Sequence, residues 1–164
     1  MKYQQIISVV FAVCALAAVV SCQSDKSTIG GYLGLDTDLK IEFLVEADIN
    51  PDEMGVASPL FIRMYELKAE KIIKKADFID IFERDKEILG ADLVAMHQLK
   101  PFIPGEARSE LFVLNKNTKF VGLYAEFLDF KESKYKLVIP VVTNNVFKNT
   151  ATIRVTGNEL IFIE

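Results

Sequence analysis

Leu39, Ile41, Phe43, Val45 and Ala47 alternate with Lys40, Glu42, Leu44 and Glu46. Successive strand side chains point to opposite faces, so this run can bury one face and wet the other only as a β-strand. At helical spacing the same residues would spread around the axis and leave no dry side. A half-dry strand needs a second layer to pack on, which restricts the domain to sheet on sheet or sheet on helix.

The rest of the chain favours sheet on sheet. Asp48 to Ser58 (DINPDEMGVAS) interrupts the alternation with Asn-Pro, Asp and Gly. Pro59–Leu67 is the second predicted strand, with Leu60, Ile62 and Met64 on one side. Phe78, Ile81, Phe82, Ile88 and Leu89 are spaced as one helix, with Asp77 placed to cap its start and Gly90 to stop it. The stretch before it, Lys68–Lys75 (KAEKIIKK), reads as a solvated lead-in. Six further short strands are predicted, at Leu93–Leu99, Ala107–Leu114, Lys119–Leu128, Lys134–Val142, Asn149–Thr156 and Glu159–Ile163. Turn residues part them at Pro104-Gly105, Asn115–Thr118, Lys131–Ser133, Asn144-Asn145 and Gly157-Asn158. About eight short strands with one inserted helix near 76–90 predict a mainly β, two-sheet sandwich over 39–164.

The N-terminal part follows another logic. Ile6–Val20 (IISVVFAVCALAAVV) follows a short start carrying Lys2. The run is shorter than the roughly 20 residues of a membrane span and suits the apolar region of a secretory signal. Val19-Val20-Ser21-Cys22 resembles the cleavage box of a bacterial lipoprotein, with Cys22 as the lipidated residue. Cys14 is the weaker candidate, because Val13 before it is bulky and the apolar run continues past it. Residues 1–21 are therefore expected to be removed, and residues 22–38 to form the lipidated Cys and a tether. Gln23–Asp38, polar and then Gly-rich, would span about 50 Å if fully extended. Gln23, where Asp would signal retention in the inner membrane, implies passage to the outer membrane facing the periplasm. The remaining chain would hold no free thiol, as suits an oxidising compartment.

Composition narrows the chemistry. A net charge of −4 argues against a nucleic-acid partner. One His and two Cys are too few for a Cys/His zinc site or a disulfide scaffold. The lone His97 falls in a predicted strand and reads as a surface or strand-edge residue, not as a catalytic base. Asp48-Ile49-Asn50-Pro51-Asp52 begins like a calcium loop, but Glu53 stands where Gly must turn the chain and Pro59 where a bidentate Glu must close it. No metal and no cofactor are expected beyond a covalent lipid on Cys22, and no pair of acids is singled out for hydrolysis. The twelve Phe read as packing.

The loop Asp48–Ser58 is longer than a hairpin needs and carries Ile49, Met54 and Val56. Two readings stand level on the residues alone: apolar groups folded back onto the sandwich, or a protruding recognition finger.

Several segments resemble one family. Asn50-Pro51-Asp52, Gly55, Ser58-Pro59 and Ile62-Arg63-Met64-Tyr65-Glu66-Leu67 are similar to the type VI secretion lipoproteins of the TssJ (SciN, VasD) family. So are Ala76-Asp77-Phe78, Phe82, Leu89-Gly90-Ala91-Asp92-Leu93, Pro104-Gly105-Glu106 and Val121–Phe127. The pattern departs at Leu128, where the family often has Arg, and at Tyr135-Lys136, where it often has an aromatic–Arg pair. The resemblance implies a transthyretin-like sandwich with an added helical element and no catalysis. It also implies a place in a TssJ–TssL–TssM membrane complex, bound to the periplasmic C-terminal part of TssM. It puts that contact on the loop, at Ile49, Asn50, Pro51, Asp52, Glu53, Met54, Gly55 and Val56. The competing expectations are a periplasmic module for a small ligand or carbohydrate, which requires a concave apolar pocket, and a hydrolase using two carboxylates.

Overall fold

The computed structural model describes residues 37–141 and 149–163. The leader, Cys22, the tether to residue 36 and the Asn144-Asn145 turn lie outside the described residues. Within them the alternating run forms β1 (Thr37–Val45), with Leu39, Ile41, Phe43 and Val45 buried and Leu44 exposed on the opposite face. Seven more strands follow: β2 (Ile62–Leu67), β3 (Leu93–Gln98), β4 (Ala107–Leu114), β5 (Phe120–Ala125), β6 (Lys136–Pro140), β7 (Asn149–Thr156) and β8 (Glu159–Phe162). They form two four-stranded sheets, in the orders β4-β1-β7-β8 and β3-β2-β5-β6. The neighbours are antiparallel except β1 and β7, which run parallel. The main core lies between the sheets, where Ile41, Phe43 and Ile153 meet Ile62, Met64, Val121 and Leu123.

Two expected boundaries move. Thr37 and Asp38 pair with Leu114 and Val113, so they belong to β1 and not to the tether. The second strand starts at Ile62 and not Pro59, because Leu60 bridges only to Phe102. The fifth and sixth strands are also shorter than predicted. Lys134 leaves the line of β6 to bridge Glu159 beside β8, closing that side of the sandwich.

The helical layer corrects the sequence reading. Lys71–Lys75 is a short helix, α1, and not a solvated lead-in. Ile73 is fully buried against Leu67 and Tyr124, while Lys71, Lys74 and Lys75 around the Ile72-Ile73 pair disguise it in the sequence. A Cβ built on Gly122 would lie 2.5 Å from Ile73 Cδ1, so the missing side chain on β5 is what lets α1 sit this close. Lys136, at one of the departures from the family pattern, donates through Nζ to the carbonyls of Ile73, Lys74 and Ala76 (3.1, 3.2 and 2.5 Å). A five-residue helix has few internal bonds, and this ammonium satisfies carbonyls at its C-terminal end. Burial lowers the Lys136 pKa.

The expected helix is α2 (Phe78–Leu89). Asp77 occupies the N-cap position but forms no side-chain cap bond; only its carbonyl accepts, from Ile81 N. Gly90 ends the helix at φ +49, a conformation glycine adopts without strain. α2 lies over the outer face of the second sheet, where Phe78, Ile81 and Leu89 pack with Tyr65, Leu67 and Tyr124. Covered on both faces, β2 is buried at every position.

Candidate functional site

One end of the sandwich is built from three connections: the β1–β2 loop, the β5–β6 loop and the β7–β8 turn. Asn50 ties them together. It is 2% exposed. Its backbone N donates to Gly157 O (2.8 Å), its Nδ2 donates to Pro59 O (2.9 Å), and its Oδ1 accepts from Leu128 N (2.8 Å). Asn50 also has φ +48, a backbone state that Asn tolerates better than most side chains. Ile49 beside it is fully buried, and its carbonyl accepts from Ser58 N. The first part of the loop therefore folds back, and Ile49 and Asn50, expected as contact residues, are structural instead.

The second part projects. Asp52 Oδ1 accepts from Met54 N and Val56 N (2.9 and 2.8 Å), while the Asp52 backbone takes one bond from Gly55 N and gives one to Val56 O. Gly55 completes the turn at φ +76. This knot is self-contained, so the side chains it displays need no support from the core. Met54 is 87% exposed and Val56 58%. Preceding them in the loop, Pro51, Asp52 and Glu53 line an open cleft with Leu128, Asp129 and Asn158, and Leu128 is itself exposed. The loop thus divides in two: Ile49 and Asn50 fold back onto the sandwich, and Met54 and Val56 project from it. The surface can bury Met54 and Val56 against a partner while Glu53 and Asp129 meet basic groups.

The Asp48–Asp52 segment does not gather carboxylates on a point. Asp48 Oδ1 accepts from Gly157 N, and Asp52 Oδ1 is occupied by two amides. Among the described residues there is no group of three or more His, Cys, Asp or Glu arranged to hold a metal ion.

Two charged clusters escaped the sequence reading. His97, on the edge strand β3, has Nε2 2.8 Å from Glu66 Oε1. Glu66 is 2% exposed and also accepts from Asn115 N and Thr118 Oγ1. Burial opposes its charge, but the bonds from His97, Thr118 and Asn115 outweigh it and hold the carboxyl below its ordinary pKa. Arg63 on β2 is the second. Its guanidinium donates to Glu126 (2.6 Å), Asp85 (3.1 Å), the Tyr65 hydroxyl and the carbonyls of Ile81 and Phe82. Nothing local marks either residue as buried; each lies in an otherwise ordinary strand. These clusters brace the helical layer and the β4–β5 turn, and neither touches the loop surface.

Replacing Asn50 with Ala strips bonds from Leu128 N and Pro59 O and leaves Ala at a positive φ. Denaturant unfolding is expected to show a loss of about 3 kcal/mol. Asn50→Gly, relieved of the backbone strain, is expected to lose about 2 kcal/mol.

The comparisons with known proteins agree with this architecture. The profile of the family described as "Type VI secretion lipoprotein, VasD, EvfM, TssJ" matches residues 37–158. A search of curated proteins gives no match. Among solved structures, the T6SS lipoprotein TssJ1 from Pseudomonas aeruginosa superposes with a TM-score of 0.72 at 25% identity, over 78% of this chain and 95% of that one. Serratia marcescens Lip, described as a membrane bound component of the type VI secretion system, gives 0.71 at 17% identity, over 78% and 98%. A chain of the structure described as the T6SS protein TssM C-terminal domain from EAEC gives 0.63 at 26% identity, over 76% and 99%. The sandwich, its helical layer and the profile match lead to one assignment: this chain belongs to the TssJ family of type VI secretion lipoproteins.

Proposed function

We propose that the protein holds the type VI secretion membrane complex to the outer membrane, with TssM and TssL as the other members. In this reading a lipid on Cys22 fixes the chain in the membrane and the domain faces the periplasm. The projecting part of the β1–β2 loop, Pro51 to Val56, docks on the periplasmic C-terminal part of TssM. The role is structural, not catalytic. The observation that carries the docking is the Asp52 knot, which spends its backbone and carboxylate bonds to present Met54 and Val56 on a rigid end of the sandwich. Burial of such apolar groups at an interface centre is where binding energy concentrates.

Calorimetry of the chain from Gln23 onward with the periplasmic part of the cognate TssM tests this. Met54→Ser with Val56→Ser is expected to weaken binding at least about tenfold, with an unchanged melting temperature, because both side chains are exposed. Equal affinity for the two forms would move the contact away from the loop.

A further inference from the structure

We propose that β4 is a homotypic docking edge, and that two copies of this chain pair antiparallel through it about a twofold axis at Ser109. β4 is the outer strand of its sheet, with β1 on one side and no strand among the described residues on the other. Val45 N donates to Glu106 O at the start of the β1–β4 ladder, which fixes its phase. Glu106, Arg108, Glu110 and Phe112 turn their backbone groups to β1, so Ala107, Ser109, Leu111 and Val113 turn theirs to the free edge. An eight-residue edge of this kind is a template for another strand.

The charges select both the occupant and the register. Arg108 and Glu110 flank Ser109; in one chain the guanidinium lies 3.1 Å from the Glu110 carboxylate, and it also donates to Glu106 and to the carbonyls of Lys100 and Pro101, which hold its charge at this edge. In an antiparallel pair centred on Ser109, Arg108 of each copy stands opposite Glu110 of the other, in the closely spaced, non-hydrogen-bonded positions. The four groups then alternate in sign around the axis. Centring the pair on residue 108 would set Arg against Arg, and on 110 Glu against Glu, both destabilising. The outer face agrees with the same register. Leu44 stands beside Ala107 within one copy, and Leu111 of the other copy falls beside Ala107 across the edge. Leu44 is 43% and Leu111 59% exposed in the single chain, so two symmetric rows would cover apolar groups that are now wet. The edge bonds of Ala107, Ser109 and Leu111 would add about six backbone hydrogen bonds.

The test is disulfide trapping of the full chain in detergent. Ser109→Cys places two thiols in directly paired positions, within reach of a disulfide, whereas Leu111→Cys places them four residues out of step. The unsubstituted chain, oxidised in parallel, reports any linkage through Cys22. Mild oxidation is expected to give a covalent dimer from Ser109→Cys and at least tenfold less from Leu111→Cys. Adding Glu110→Arg to Ser109→Cys is expected to cut the dimer at least tenfold, well beyond the effect of Glu110→Gln, which loses the same Arg108 partner within one copy without adding a like charge. No dimer from Ser109→Cys, equal yield from Leu111→Cys, or a yield insensitive to Glu110→Arg would each overturn the proposal. So would trapping of a different protein at Ser109→Cys in cell envelopes in place of a second copy.

Discussion

Cys22→Ser is expected to release the protein from membranes completely and to abolish type VI secretion, while the purified domain melts as before. Each buried CH₂ of an acyl chain contributes about 0.8 kcal/mol, and one chain alone holds only marginally, so a firm anchor needs two or more. No helix among the described residues is long and apolar enough to cross a membrane. Fractionation of envelopes followed by a secretion assay measures both effects. On the proposed function the two should fall together, since anchor and docking surface would then act in series. A Cys22→Ser variant that still sediments with outer membranes, or still supports secretion, would place the anchor elsewhere.

Arg63→Met is expected to cost about 3 to 5 kcal/mol of folding stability, the range for removing one member of a buried ion pair. The Arg63 side chain is 11% exposed, and its partners Asp85 and Glu126 are 16% and 21% exposed. Without the guanidinium both carboxylates stay inside, unneutralised. The loss is concentrated at α2. The helix breaks its regular geometry at Arg84 (φ −138, ψ 35), and Lys86 N bonds to Asp85 Oδ1. Arg63 Nη1 and Nη2 satisfy the Ile81 and Phe82 carbonyls in the turn before the break. The guanidinium also lies 5.5 Å from the Phe82 ring centroid and 5.2 Å from that of Tyr124. Arg63→Lys, with a point charge in place of a fork, should recover only part of this. Denaturant unfolding gives the magnitude, and hydrogen exchange should show Ile81–Lys86 losing protection first. A loss below about 1 kcal/mol for Arg63→Met would mean that the pair network is not holding the helix.

What could be read from the residues was set by periodicity. β1 and β7 lie close to their expected bounds, because one face of each is dry and the other largely wet; β4 does so too, although its inner side carries the half-buried Arg108 and Glu110 and only Leu114 is fully buried. β2 was harder. With helices on its outer face it is buried at all six positions, so its start at Ile62 has no alternation to mark it. α1 escapes notice because five residues cannot display a helical repeat, and the Ile72-Ile73 pair that holds its one core residue is bracketed by Lys71 and Lys74. The loop was legible as a candidate surface but not as two halves. That division depends on Asn50 reaching Leu128 and Pro59, contacts set by tertiary packing. Arg63 and Glu66 stayed hidden for the same reason: a buried charge declares itself only through partners distant in the chain.

The parallel pairing of β1 with β7 sets an order of events. The Asp48–Gly157 hydrogen bond joins residues 109 apart, and β1 sits between two strands that leave the ribosome long after it. Contacts this distant in sequence close slowly. A chain exported N-terminus first would present Cys22 for modification while β1 still has neither neighbour, so acylation would act on an unfolded polypeptide. Chains that stall before β7 would stay open on both sides of β1, exposed to envelope proteases but already fastened to the membrane.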